Sequence, residues 1–448
     1  MRAGSLAVAA NLAWLALLLS GASCSDRSVS PTIDWPEPSE ITSQLGYHCV
    51  IIDGGLKCWA ERPDASNPTW YELLQLQRDE LDPEPPLPDI DFGPGAVVLD
   101  ARSMRYGGCV ALRGQGVKCW GQNDGFGFGV PDQELIIGDE PDERGAGMPL
   151  VDLGSDPNVV DITEDAQPCA RFADGRVKCW GWGSASLGLG DTQPRGDDVG
   201  EMGDALPYVD LGTDVRAAGL TADSGHVCIW SAEGRVKCWG DNARGELGID
   251  SDDDPVGDEP GEMGDALPFV DLGQDVRVVQ VSIGEEHTCA LTDDGRVKCW
   301  GANSTVFPPN PPYPDKDPNP DGRLGLGDTL DRRAPLGDAL PYVDLGTDVR
   351  AVAIATCHKR SCAVLHDGRL KCWGSGSESI GDEPGEMGDA LPYVDLGTDR
   401  TVQALGCNCA LLDDDSIKCW NGLGYDPEEP MGDALEPVLT REDLYGPA

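Results

Sequence analysis

The chain is short of the residues that recognise polyanions and of those that perform most acid–base chemistry. Lys and Arg number 33 against 79 Asp and Glu, a formal net charge of −46. That balance excludes the basic footprint needed to neutralise nucleic-acid phosphates, and it disfavours docking on an anionic membrane. Only 5 histidines occur in 448 residues. Two of them, His226 and His287, stand two residues before a cysteine, the recurrence of a scaffold group. No Gly-x-Ser-x-Gly, His-Glu-x-x-His or phosphate-binding loop is present. Acidic pairs are so frequent that none singles itself out as a glycosidase dyad. Beyond the N-terminal segment, no stretch reaches the roughly 18 to 20 apolar residues of a spanning helix. Aromatics at 6%, with Gly 58 and Pro 35, argue against long helices and for short strands joined by many turns.

The N-terminal segment is itself distinctive. Arg2, an apolar run from Leu6 to Leu19 and small residues up to Cys24 have the layout of an export signal. Leu19-Ser-Gly-Ala-Ser-Cys24 resembles a lipoprotein cleavage box, with Gly21 where Leu is usual, so lipidation of Cys24 and simple cleavage are both open. The expected locations are the outer membrane through a lipid anchor, the periplasm or the cell surface, and otherwise secretion. Seventeen cysteines in an exported chain imply disulfides and an oxidising compartment.

Fourteen of those cysteines fall in one recurring segment. Its fifth copy reads Cys289-Ala-Leu-Thr-Asp-Asp-Gly-Arg-Val-Lys-Cys299-Trp-Gly, and the seven first cysteines are 60, 60, 59, 61, 73 and 47 residues apart. Such a period marks a repeat array. If Cys289 opposes Cys299 and Leu291 opposes Val297, Asp293-Asp294-Gly295 is a three-residue hairpin loop with glycine at its left-handed position. The first copy is one residue shorter and leaves the two-residue loop Asp53-Gly54, the other favoured solution. In this register the cysteines face each other, predicting Cys49–Cys58, Cys109–Cys119, Cys169–Cys179, Cys228–Cys238, Cys289–Cys299, Cys362–Cys372 and Cys409–Cys419. Cys357 and Cys407 precede hairpins in adjacent repeats. A bridge between them is expected, and zinc, tested because His358 and Cys409 lie close in sequence, would need four free ligands.

Short apolar stretches upstream of most hairpins, such as Ala266–Gly273 and Val276–Ser282, read as two further strands, giving the four strands of a propeller blade. The first hairpin has Glu40–Leu45 before it but no Val-Asp-Leu-Gly strand; a matching stretch follows the last hairpin at Gly432–Leu439. The expectation is an all-β, seven-bladed β-propeller over residues 40–440, closed by a C-terminal strand completing the first blade. Residues 1–24 are the signal, 25–39 a linker and 441–448 a tail. Trp59, Trp120, Trp180, Trp239, Trp300, Trp373 and Trp420 are blade-to-blade packing residues. Seven of the nine lysines precede the second cysteines and share a strand face with those tryptophans, so their stems lie along the ring while their charges reach neighbouring acids.

These hairpins, together with Gly322-Arg-Leu-Gly-Leu-Gly-Asp-Thr-Leu330, Ser186–Thr192 and Asn242–Gly248, resemble the repeats of the regulator of chromosome condensation family over roughly residues 40 to 440. The resemblance implies a seven-bladed propeller in which shared residues build blades and variable loops carry function. It transfers no activity: the nuclear member's nucleotide exchange and chromatin contact do not suit an exported chain of this charge.

Candidate binding residues therefore lie outside the repeat. Trp70 and Tyr71 stand in an insertion at 61 to 88, and Phe307 and Tyr313 in a proline-rich insertion at 303 to 321, either of which could equally be a tolerated loop. Asp252, Asp253 and Asp254 belong to an acidic loop that could attract a basic partner or calcium. Counting from Asp250, Pro255 and Gly261 occupy the places where an EF-hand needs glycine and glutamate. The expected function is a non-enzymatic, monomeric scaffold that binds a protein or envelope ligand through acidic loops, without nucleic acid, an obligatory cofactor or a metal site. A propeller hydrolase or lyase acting on extracellular polymers, and a calcium-dependent adhesion protein, are the alternatives.

Overall fold

The computed structural model describes residues 41–44, 47–60, 89–104, 107–122, 136–137, 143, 145–163, 168–223, 225–251, 254–304, 321–375, 379–420 and 438–445. Seven antiparallel sheets follow one another along the chain, each an inner strand, a middle strand and a third strand. In the fifth these are Val278–Gly284, His287–Thr292 and Val297–Gly301. The hairpin register is the one the cysteine spacing demands: Cys289 faces Cys299 and Leu291 faces Val297. Gly295 has φ 81°, and the short first hairpin turns through Asp53 and Gly54 at φ 52° and 77°. In the seventh hairpin Asp415, φ 61°, takes the place of that glycine. All seven intra-hairpin disulfides are present with Cα–Cα distances of 4.0–4.1 Å, the close approach of a non-hydrogen-bonded pair. The eighth bridge joins Cys357 to Cys407 between the sixth and seventh sheets.

The fourth strand corrects the expected blade. Val-Asp-Leu-Gly segments pair with the hairpin that precedes them: Val209 N donates to Val177 O at 2.9 Å, Val270 to Val236 at 2.9 Å, Val343 to Val297 at 2.8 Å and Val394 to Leu370 at 2.9 Å. In the first sheet Ile90 N donates to Leu56 O at 2.8 Å, so the divergent Asp89-Ile-Asp-Phe-Gly93 is its edge strand. The C-terminal stretch likewise bonds its own hairpin, with Leu439 opposite Ile417. It completes the seventh sheet, and the first needs nothing from it. The two end sheets meet through side chains instead: Ile41, Val50, Ile52 and Trp59 share a core cluster with Cys409, Leu411 and Ile417. Residues 441–445, expected as tail, form a short helix. Thr440 and Asp443 cap it, Thr440 N donating to Asp443 Oδ2 at 2.6 Å, and Leu444 is buried in that same cluster.

The inner strands of all seven sheets line one polar cavity of about 200 Å³ that is partly open to solvent. Between sheets, the repeated tryptophans fill the core; five are less than 2% exposed. No helix among the described residues is long and apolar enough to cross a membrane. Eight disulfides fit an oxidising, extracellular-type environment.

Candidate functional site

Every third strand runs towards the same end of its sheet, where the turns between inner and middle strands also lie. The segments that follow each Trp-Gly therefore leave from one end, and the hairpin turns occupy the other. The insertions at 61–88 and 303–321 begin at that loop-bearing end. Trp70, Tyr71, Phe307, Tyr313, Asp252, Asp253 and Cys24 lie outside the described residues.

The described parts of the acidic loops put many of their carboxylates to internal use. Glu262 accepts from the backbone amides of Gly257 and Glu259 at 2.8 and 2.9 Å, and Glu386 repeats this with Gly381 and Glu383 at 2.8 and 3.0 Å. Asp265 accepts from Thr213 N and Oγ1 at 2.6 and 2.7 Å, and Asp389 does so from Thr347 at 2.8 Å to each, tying consecutive sheets together. Exposed Asp254 accepts from Asn242 N at 2.9 Å, closing its own loop. Glu259 and Glu383 stay exposed. The negative field therefore rests on fewer free carboxylates than composition suggests.

The lysines are clasps. Lys237 Nζ donates to Leu211 O of the preceding sheet's edge strand at 2.8 Å and to Gly264 O of its own loop at 2.6 Å. Lys178, Lys298 and Lys371 make the same pair of contacts. Their main partners are carbonyl dipoles, not the acids expected from sequence. Burial lowers the pKa of each ammonium, and aspartates such as Asp265 and Asp338 pull it back. The tryptophans are similarly committed: Trp239, Trp300 and Trp373 Nε1 donate to Ser186, Glu246 and Arg323 carbonyls at 2.9, 2.9 and 3.1 Å.

The two repeat histidines are scaffold groups. His226 Nε2 lies 3.1 Å from Thr288 Oγ1, whose proton goes to Glu246 O, so Nε2 carries the hydrogen; His287 and Ser361 repeat this at 3.0 Å. Burial drives His226 down to about 3, which keeps the ring neutral. Beside it is a charged group that sequence reasoning missed. Glu246 is 3% exposed and is pushed up to about 7 by burial, with Glu286 and Asp254 adding like charge. Glu286 Oε2 stands 3.6 Å from both Arg244 Nη1 and Arg323 Nη1, and fully buried Arg323 is paired with Asp321. The cluster joins the fourth, fifth and sixth sheets internally and presents no open nucleophile.

The described loop-bearing end also exposes an aromatic that was overlooked. Trp182 is 56% exposed. The signal was a second tryptophan two residues after Trp180, where the other repeats carry Glu61, Gln122, Asp241, Ala302, Ser375 and Gly422. One His/Cys group, His48 with Cys409 and Cys419, has metal-like spacing, but its two sulfurs are bonded to each other. The Cys357–Cys407 bridge likewise removes two of the ligands weighed for zinc.

Sequence models described as Regulator of chromosome condensation (RCC1) repeat match residues 233–291 and 278–305. Within that span the chain carries repeats similar to those of this family. It is similar to the Ultraviolet-B receptor UVR8 of Arabidopsis thaliana, 26% identical over 230 residues, 50% of this chain and 43% of that protein. It is also similar to the Regulator of chromosome condensation of Homo sapiens, 31% identical over 194 residues, 43% of this chain and 39% of that protein. The chain thus spans less than half the length of these relatives. Among solved structures, human WBSCR16 aligns with TM-score 0.56 and 18% identity, covering 84% of this chain and 85% of that one. Prp20p from Saccharomyces cerevisiae, studied for its binding to Gsp1p and histones, aligns with TM-score 0.52 and 17% identity over 82% and 79%. At these identities the structures establish the fold alone.

Proposed function

We propose that the chain is an exported seven-bladed propeller, without catalytic activity of its own, that binds another protein through its loop-bearing end. One observation carries this reading: the recurring Trp, Lys, His and Asp side chains are consumed in joints between sheets, whereas Trp182, which does not recur, is exposed in a segment that follows a third strand. Protein binding by the yeast relative Prp20p supports the same use of the fold. The remaining exposed carboxylates favour a basic partner surface. The N-terminal segment serves export, with Cys24 as the lipid anchor point. Calcium would enter only through the acidic loops, and a melting shift with calcium but not magnesium would reveal it.

The reading is tested with a photo-crosslinking residue placed at 182, or at 294 in a hairpin turn of the opposite end, in otherwise native protein within its own envelope. A discrete cross-linked partner from 182 and none from 294 is expected, and deletion of residues 303–321 should weaken that cross-link. Equal cross-linking from both ends, or none from 182, would refute the assignment of the binding face.

A further inference from the structure

The axial cavity is not a uniform seven-fold wall. Two residues beyond the first cysteine, six repeats carry Ile51, Ala111, Arg171, Leu291, Val364 and Leu411, while the fourth carries Trp230. Its partner across the strands is Gly219, where other inner strands hold Asp100, Asp161, Gln280, Ala353 and Ala404. A Cβ on Gly219 would lie 1.9 Å from Trp230 Cζ2, so the indole occupies space that only glycine leaves. The half-buried indole contributes to the cavity wall.

The fifth and sixth sheets bring little to a ligand, because their polar groups satisfy one another. Gln280 exchanges two hydrogen bonds with the Ile354 backbone at 2.9 and 3.0 Å, and Ser282 Oγ pairs with Thr356 Oγ1 at 2.8 Å. The second to fourth sheets differ. Asp161 is held by Arg171 at 3.1 Å and approached by Arg102 at 3.9 Å, and Arg102 also pairs with Asp100 at 3.2 Å. Two arginines and two aspartates cancel, so this wall is strongly polar but neutral. Thr221 lines the same cavity, on the strand that carries Gly219.

We propose that this cavity is a binding site for one neutral sugar or polyol ring, stacked on Trp230 and hydrogen-bonded by Thr221 and Asp161. The charge balance selects against free anions and cations, and the polar wall against an apolar guest. A sugar ring offers an apolar C–H face to the indole and hydroxyls to the remaining wall. The volume of about 200 Å³ is below the roughly 300 Å³ at which pockets for drug-sized ligands begin, which limits the guest to a single ring. This site is lined by the inner strands and Trp230, and the proposal does not rest on the binding-face reading above.

The full chain, titrated with glucose, galactose, mannose and N-acetylglucosamine by calorimetry and tryptophan fluorescence, should show saturable binding of at least one, tighter than that of glucuronate or glucosamine. Trp230→Leu should raise Kd about tenfold and Trp230→Phe much less. Thr221→Val, which keeps the side-chain shape and the fold, should also weaken binding while leaving the melting temperature in place. Absence of saturable binding by every neutral sugar up to about 10 mM, the weak end of specific recognition, would overturn the proposal. So would binding that survives unchanged in both Trp230→Leu and Thr221→Val, or preferential binding of the charged sugars.

Discussion

The third to sixth sheets and the other three solve the same packing problem with different residues. In the four regular sheets an arginine two positions before the lysine lies over an aromatic of the edge strand: Arg176 on Tyr208, Arg235 on Phe269, Arg296 on Tyr342 and Arg369 on Tyr393, at 4.1, 3.3, 3.8 and 3.7 Å from the ring centroid. The lysine approaches the same ring at 4.7–4.8 Å. In the first, second and seventh sheets the arginine position is Gly55, Gly116 and Ser416, and the aromatic position is Asp89, Leu150 and Pro437. Arginine and aromatic come and go together, while the lysine never changes. The lysine answers to the neighbouring sheet through backbone carbonyls, which any sequence supplies. The arginine–aromatic pair is internal to one sheet and can be exchanged; in the first sheet Asp89 meets Lys57 directly at 3.1 Å.

The comparison can be broken at several points. The largest effect is expected from Trp300→Ala, which should cost about 3–5 kcal/mol in urea unfolding because the ring is fully buried and bonded across sheets. A loss below about 1 kcal/mol would mean that the ring is not a joint. A pH effect follows, confined to the junction of the fourth and fifth sheets. Glu246 is raised to about 7 in the fold, so its contribution is fully present below the unfolded carboxyl pKa and is lost as pH rises through about 7, by about 3 kcal/mol. Glu246→Gln should flatten that slope. His226 acts oppositely: depressed to about 3, it contributes above about 6.5, and that contribution is lost on acidification towards 3. Relative to wild type, Glu246→Gln should gain stability as pH rises from about 4.5 to 7 and His226→Gln as pH falls from about 6.5 to 3, and curves parallel to wild type would contradict both assignments.

Lys298→Met should cost about 1–3 kcal/mol, since two buried carbonyls lose a charged donor. Lys57→Met should cost about 1 kcal/mol or less if the pair with largely exposed Asp89 is its main use; equal losses would erase the distinction between clasp and local pair. The smallest effect is the most specific. Arg296→Ala should cost about 0.5–1 kcal/mol at its largely exposed stack. Installing Gly116→Arg with Leu150→Tyr in the second sheet should show favourable coupling of similar size in a double-mutant cycle, and additivity would deny that the two residues act as a pair.

Most of the architecture was legible because strand pairing obeys counting. Cys49 to Cys58 is one residue shorter than the other copies, and the turn changed type accordingly. Counting could not decide which hairpin an edge strand joins, since Val-Asp-Leu-Gly lies between two hairpins and period alone treats both alike. The deciding segment is the one around Ile90, whose altered sequence, with Phe92, lacks the usual Val-Asp-Leu-Gly residues. The lysine partners were hidden for a related reason: backbone carbonyls leave no mark in composition, whereas nearby aspartates do. Trp182 and Trp230 were legible in principle as breaks in the repeat. Glu246 was not, because its altered acidity comes from burial in the fold, with like charge added by acids 8 and 40 positions away in the chain.

The Cys357–Cys407 bridge has a consequence in time as well as in space. Each hairpin bridge links cysteines 9 or 10 residues apart and can close as soon as its own hairpin has been made; this one links cysteines 50 apart, with a whole hairpin and its edge strand in between. As synthesis proceeds from the N-terminus, it must wait until six hairpins have been made and the seventh is beginning. Its oxidation state is thus a built-in record of assembly: chains oxidised at the hairpins but free at 357 and 407 are those whose last joint has not yet formed.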